Sequence, residues 1–245
     1  MKLSANLGFL WPGLSLPQQI ERAQARGFDA VECHWPYAQD PLPVRDALQR
    51  SGLPMLSLNT LRGASNGLCA MPDDQAAESA ILQAIAYADA VDAQAIHCMA
   101  GQAPADSTSR FVQRLQWAAE QTQRTLLIEP LNPKDAPGYF LNSLDQALEI
   151  LAAVDRVNVR LLFDLYHVQR IHGDVTPRLL QALPWVEHIQ FAGAPHRGHP
   201  LDSELNIAWV ARAAIQAGYG GYFGAEYKTA DTEASLDWLD DFRRV

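Results

Sequence analysis

The sequence predicts an α/β chain folded as one (β/α)8 TIM barrel, a single domain over residues 1–245. Three observations carry this. Short aliphatic runs alternate with amphipathic segments from end to end, in eight units of about 30 residues, the order and size of a closed parallel barrel. No Gly/Ser-rich or Pro-rich break divides the chain. No GxGxxG follows the first aliphatic run, where an open dinucleotide-binding sheet would carry it.

The units read in order. KLSANLGF is the first strand, and the helix SLPQQIERAQARG follows with a Ser15 cap, Pro17 in its first turn and Gly27 at its stop. DAVECHW leads to PVRDALQRSG, and PMLSLNT leads to DDQAAESAILQAIAYADAVD, rich in strong helix formers. AQAIHCMAG precedes STSRFVQRLQWAAEQTQR, and TLLIEPLN precedes SLDQALEILAAVD. VRLLFDLYH pairs with TPRLLQALP, VEHIQFAG with NIAWVARAAIQAGYG, and GYFGAEYK with a last helix over TEASLDWLDDFRR.

Composition limits the functions available. The formal charge is −9 and no run of Lys or Arg occurs, so a nucleic-acid backbone is a poor partner, although one or two arginines can hold a small anion. The three cysteines, Cys33, Cys69 and Cys98, are odd in number and lack CxxC spacing, which argues against a disulfide framework or zinc cluster and fits a reducing, cytoplasmic location. The opening MKLSANLGFLWPG is a poor signal sequence, broken by Asn6, Gly8 and Pro12, and no run reaches transmembrane length; no membrane role is expected.

In a barrel of this kind catalytic side chains stand at the C-terminal strand ends. Those ends carry Asn6, Glu32 with His34, Asn59, His97, Glu129, Asp164 with His167, Gln190 and Glu226. Side chains alternate along a strand, so Glu129 shares a face with Leu127, Asp164 with Leu162, Gln190 with His188 and Glu226 with Gly224. With those faces inward, three carboxylates and one amide oxygen converge at one mouth. Such crowding needs a counter-charge or large pKa shifts. An all-oxygen set suits magnesium, or manganese, better than zinc or an iron–sulfur cluster. The expected ligands are therefore Glu129, Asp164, Gln190 and Glu226; the competing reading is that each acid caps the following helix or pairs with a surface lysine.

LLIEPLNPKDAPGYFL, FDLYHVQR, HIQFAGAPHRG and GAEYK, together with KLSANLGFLW and GFDAVECHWPY, resemble the hydroxypyruvate isomerase family of xylose-isomerase-like barrels, over essentially the whole chain. The group also contains 2-oxo-tetronate isomerases. The resemblance implies an aldose–ketose type isomerase of a small hydroxy-oxo acid, with metal ligands at Glu129, Asp164, Gln190 and Glu226 and proton-transferring glutamates at Glu129 and Glu226. Two loops depart from the family pattern. After strand seven the sequence reads PHRGHPLDSELN, with His199, Leu201, Asp202 and Ser203 at unusual positions. After strand three it reads LNTLRG, without the usual proline-containing loop. Both loops bear on substrate identity.

Moving a carbonyl between adjacent carbons needs bases held on the substrate and stabilisation of an enediolate oxygen, which carboxylates and a divalent cation supply. Arg197 is the candidate for the substrate carboxylate, because its planar fork matches one bidentately; a loop-surface arginine is the alternative. His167 and Glu204 are placed at the substrate, with a packing histidine and a helix-terminal acid as the alternatives. Asn6, Glu32 and Asn59 are placed there by strand position alone, each equally suited to fixing a loop. His188 reads as a buried, hydrogen-bonded core histidine. Trp11, Trp35 and Tyr139 suit either a pocket wall or packing, and Trp238 with its leucine neighbours suits either a homo-oligomer interface or the barrel face. An epimerase with the same acids, a multi-zinc DNA-repair endonuclease and an inactive binding barrel are the rival functions. Gln190, the acidic balance and the intact acid set argue against them in turn.

Overall fold

The computed structural model describes residues 1–245. Eight parallel strands form the barrel wall: β1 Lys2–Asn6, β2 Ala30–Glu32, β3 Ser57–Asn59, β4 Ala95–His97, β5 Thr125–Ile128, β6 Val159–Asp164, β7 Val186–Phe191 and β8 Tyr222–Ala225. Their spatial order is β2-β1-β8-β7-β6-β5-β4-β3. The seam between β2 and β3 is closed by Val31 N–H to Pro54 O at 3.0 Å, Leu56 N–H to Val31 O at 2.7 Å, Cys33 N–H to Ser57 O at 3.0 Å and Asn59 N–H to His34 O at 2.8 Å. No unpaired edge remains there.

The outer ring comprises α1 Leu16–Ala25, α2 Pro41–Ser51, α3 Asp74–Val91, α4 Thr108–Gln121, α5 Leu144–Val154, α6 Leu165–Ile171, α7 Val175–Ala182, α8 Ile207–Gln216 and α9 Leu239–Arg243. Side-chain caps fix several starts: Asp40 accepts from Leu42 N–H, Asp73 from Ala76 N–H and Ser143 from Gln146 N–H. The apolar helix faces bury a continuous layer against the outside of the sheet, while Ala95, Leu127 and Leu162 form a separate small cluster. Leu127 and Leu162 thus share the inward face, and the acids two residues beyond them follow the same alternation.

Two elements differ from the sequence expectation. The last helix is confined to Leu239–Arg243, because residues 232–238 are held in turns by Ser235 N–H to Asp231 O and Thr232 O and by the Tyr227 hydroxyl on Ser235 O. Trp238, Leu236 and Leu239 are buried, so they face the barrel and offer no interface. Trp238 meets Phe28, Phe191 and Phe242 edge-on or tilted, with centroids 5.2 to 6.2 Å away. The second difference is α6, which begins directly after Asp164, inside the segment VRLLFDLYH that the sequence reads as strand. Asp164 caps it, accepting Tyr166 N–H at 2.8 Å.

Candidate active site

At the C-terminal end of the barrel lies a cavity of about 320 Å³, near the small end of the ~300–1,000 Å³ typical of ligand pockets. Glu129, His167, Arg197 and Glu226 line it with His34, His97, Asn59, Arg62 and Asp135, and Phe9, Trp35, Met99 and Leu131 supply apolar wall. Asp164 and Gln190 lie buried at the ends of neighbouring strands, paired in register with each other.

The three acids are held to different degrees. Asp164 uses Oδ1 to cap α6, and Oδ2 has no hydrogen bond. Glu226 accepts His34 Nε2 on Oε1 at 2.8 Å, while Oε2 lies 3.0 Å from Arg197 Nη2. Glu129 Oε2 is 3.6 Å from His97 Nδ1, and Oε1 is unbonded. Gln190 donates Nε2 to Glu32 Oε2 at 3.2 Å, and His188 Nε2 reaches the same oxygen at 2.8 Å. A carboxylate only accepts, so Glu32 turns the Gln190 amide nitrogen toward itself and leaves Oε1 free. A glycine is required at position 224 for this packing: a Cβ there would meet Glu32 Oε1 at 2.2 Å.

The electrostatics separate the acids. Burial, reinforced by Glu226 and Asp164, holds the Glu129 carboxyl well above the usual range. Burial lifts Asp164 to about 7 against the opposing pull of Arg197. At Glu226 burial is outweighed by Arg197 and His34, and the pKa falls to about 2. Burial draws His97 down to about 4, and burial with Arg197 draws His167 down to about 3, so both rings are neutral at pH 7.

Glu129, Asp164 and His167 form a buried cluster that could hold a metal ion, with one ligand atom from each lying within 4.8 Å of the others. The tautomer of His167 narrows its part. Its Nδ1 accepts the Asn132 backbone N–H at 2.9 Å, and a backbone N–H can only donate. The proton of the neutral ring therefore sits on Nε2, 3.7 Å from Asp164 and 3.9 Å from Glu129, where it is a donor and a poor metal ligand.

Three residues expected at the substrate lie outside the cavity lining. Glu32 is buried beneath the mouth, bound to His188 and Gln190, because it ends β2 one layer below His34 in the loop that follows. Asn6 is buried and accepts Gly8 N–H at 3.0 Å, which fixes the loop after β1. Glu204 is exposed and accepts Gln169 Nε2 at 3.2 Å, so it neither enters the cavity nor touches His167. Of the three aromatic candidates, Trp35 lines the cavity; Trp11 and Tyr139 pack elsewhere. His34 and His97, given no role from the sequence, both reach the acids. Alternation from Glu32 to His34 was the available signal. Arg197 adopts φ 55°, and its guanidinium stands over Phe9 and Tyr166 while spanning Glu226 and Asp164.

The fold and mouth thus define an acid-rich TIM barrel with a small polar cavity. Comparison with known proteins gives its lineage. A family model described as xylose isomerase-like TIM barrel matches residues 20–242. A human protein named putative hydroxypyruvate isomerase is 36% identical, covering 99% of this chain and 95% of its own. The hydroxypyruvate isomerase of Escherichia coli is 32% identical, over 99% and 100%, and the 2-oxo-tetronate isomerase of Cupriavidus necator 34%, over 98% of each. A crystal structure called AP endonuclease, family 2, from Brucella melitensis superposes with a TM-score of 0.94 at 28% identity, covering 98% of this chain and 99% of that one. The chain belongs to the xylose isomerase-like TIM barrel family, and it is an isomerase similar to the hydroxypyruvate and 2-oxo-tetronate isomerases.

Proposed function

We propose that the chain isomerises a small hydroxy-oxo acid, hydroxypyruvate to tartronate semialdehyde or 2-oxo-tetronate to 3-oxo-tetronate, with a divalent cation held by Glu129, Asp164, Gln190 and Glu226. One observation carries the metal assignment. Glu129 Oε1, Asp164 Oδ2 and Gln190 Oε1 are buried without a hydrogen bond, and Glu226 Oε2 has only the Arg197 guanidinium at 3.0 Å, so the four side chains at the ends of β5 to β8 each turn one oxygen to the mouth. Buried oxygens without donors are costly, and a hard cation satisfies all four at once. The donor set fits magnesium or manganese. What such a cation supplies when bound is electrostatic stabilisation of the negative oxygen that develops on the substrate.

The side chains divide the proton work. Glu226, kept ionised by Arg197 and His34, takes the proton from the hydroxyl-bearing carbon. Glu129, ionised when the cation binds but the carboxyl of higher proton affinity, takes up a solvent proton in the substrate complex and returns it to the adjacent carbon, while Glu226 releases its own to solvent. The hydroxyl proton passes to the former carbonyl oxygen, so the overall reaction is balanced. His167 donates Nε2–H to a substrate oxygen, and Asn132 holds it in that tautomer. Arg197 balances Glu226 and Asp164. Trp35, Phe9 and Leu131 exclude water from the enediolate. The substrate is small because the cavity is small.

Chelation tests the reading. Activity on hydroxypyruvate or 2-oxo-tetronate is expected to vanish with EDTA and to return with Mg2+ or Mn2+. Full activity in metal-free protein would exclude it. The endonuclease name carried by the Brucella melitensis structure finds no parallel in the charge of this chain, which is −9 overall.

A further inference from the structure

Two cationic side chains line the cavity, and only one of them is free. Arg197 is committed to Glu226 at 3.0 Å and to Asp164 at 3.8 Å. Arg62, in the loop after β3, has no carboxylate within 4.0 Å. Its one hydrogen bond runs from Nε to Asn66 Oδ1 at 2.8 Å, which leaves both Nη groups unpartnered. The guanidinium carbon lies 5.4 Å from the centre of the Trp35 ring, and that ring is itself fixed by Nε1–H to Thr60 O at 3.1 Å. Arg62 is therefore a planar fork, anchored at one edge and on one face, with its outer donors open at the rim of a cavity whose other charged wall residues are Glu129, Asp135, Glu226 and the committed Arg197. The cation proposed among the acids serves the reacting oxygens, so the carboxylate is matched by an uncommitted fork at the rim, and a guanidinium held by stacking and a single Nε bond loses little freedom on closing a bidentate pair.

We propose that Arg62 binds the substrate carboxylate and sets the preference for an acid over a neutral hydroxy-ketone, while Arg197 remains the counter-charge of the proton-carrying site. This rests on the hydroxy-oxo-acid reading above and assigns its carboxylate to the loop after β3, in place of Arg197.

The test compares the metal-loaded wild-type protein with Arg62→Ala and Arg62→Lys. KM and kcat are measured on hydroxypyruvate and 2-oxo-tetronate, and the inhibition constant is measured for dihydroxyacetone, which keeps the hydroxy-ketone and replaces the carboxylate with a hydroxymethyl group. Arg62→Ala is expected to raise KM for the acid about 10- to 100-fold with kcat within about threefold, the pattern of lost uniform binding. Dihydroxyacetone inhibition should shift at least about tenfold less, and Arg62→Lys, which keeps charge without the fork, should give an intermediate KM. Equal shifts for acid and neutral ligand, or an unchanged KM for the acid, would overturn the assignment and leave the isomerase reading standing. Absence of turnover of either acid by the wild-type protein would remove the reading itself and the assignment with it. If Arg62→Ala melts at a lower temperature, the Lys variant carries the comparison.

Discussion

Binding of the cation is expected to be tightly coupled to protons. Asp164 sits at about 7 and Glu129 well above the usual carboxylate range, both raised mainly by burial, and both must ionise before they can hold a cation. The sign follows directly. A carboxyl with a raised pKa is protonated below that pKa, so affinity is present above pH 7 and lost as pH falls through it. One obligatory proton costs about tenfold in apparent affinity per pH unit and two cost about a hundredfold. Glu226, at about 2, and the neutral rings of His97 and His167 do not change charge between pH 6 and 8 and add nothing. Calorimetric titration of Mg2+ or Mn2+ in buffers of differing ionisation enthalpy counts the protons directly. Proton release is expected to be larger at pH 6 than at pH 8, where Asp164 is already ionised. Asp164→Asn should bind more weakly and release about one proton fewer at pH 6. Affinity independent of pH from 6 to 8, with no proton release, would refute the electrostatic account of the mouth.

Other perturbations reach different links. Gly8→Ala places a Cβ 2.2 Å from His34 Nδ1, so the ring must leave Glu226; kcat should fall at least about tenfold in steady-state assays, and an unchanged rate would show that His34 does not tune Glu226. Glu32→Leu removes the acceptor shared by His188 and Gln190; denaturant melts should show a loss of about 2–4 kcal/mol, with weakened cation binding as the Gln190 amide is freed to rotate. Trp238→Ala opens a cavity among Phe28, Phe191 and Phe242 and should cost about 3–5 kcal/mol by the same measurement, with the mouth residues unmoved.

The barrel was legible because each strand is a compact aliphatic run followed by a helix with recognisable caps, and alternation alone placed Leu127 and Leu162 with the acids beyond them on one inward face. Residues that depend on closure were harder to read. His34 follows the end of β2 and His97 ends β4, and only the curvature of the wall brings them to Glu226 and Glu129. Glu32 lies two residues before His34 yet sits a layer lower, where it orients Gln190; period-two alternation gives the face and leaves the depth open. Glu204 looked like a mouth residue because its loop follows β7, but that loop turns outward and Glu204 meets Gln169 in solvent. The last helix was overextended because DWLDDF has helical periodicity, while local bonds among Asp231, Thr232 and Ser235 hold the preceding segment in turns. His167 was placed at the mouth by its position three residues after Asp164, but its protonated nitrogen is decided by Asn132, from a different strand end.

Proton NMR in D2O on metal-loaded protein, with hydroxypyruvate and 2-oxo-tetronate side by side, tests the central claim most directly. Two separate carriers, Glu226 taking a proton and Glu129 returning one, predict isomerisation of one of the acids with deuterium entering at the newly protonated carbon. No isomerisation and no exchange on either acid, with the cation demonstrably bound, would contradict the account and move the chemistry to a sugar isomerase or epimerase using the same four side chains.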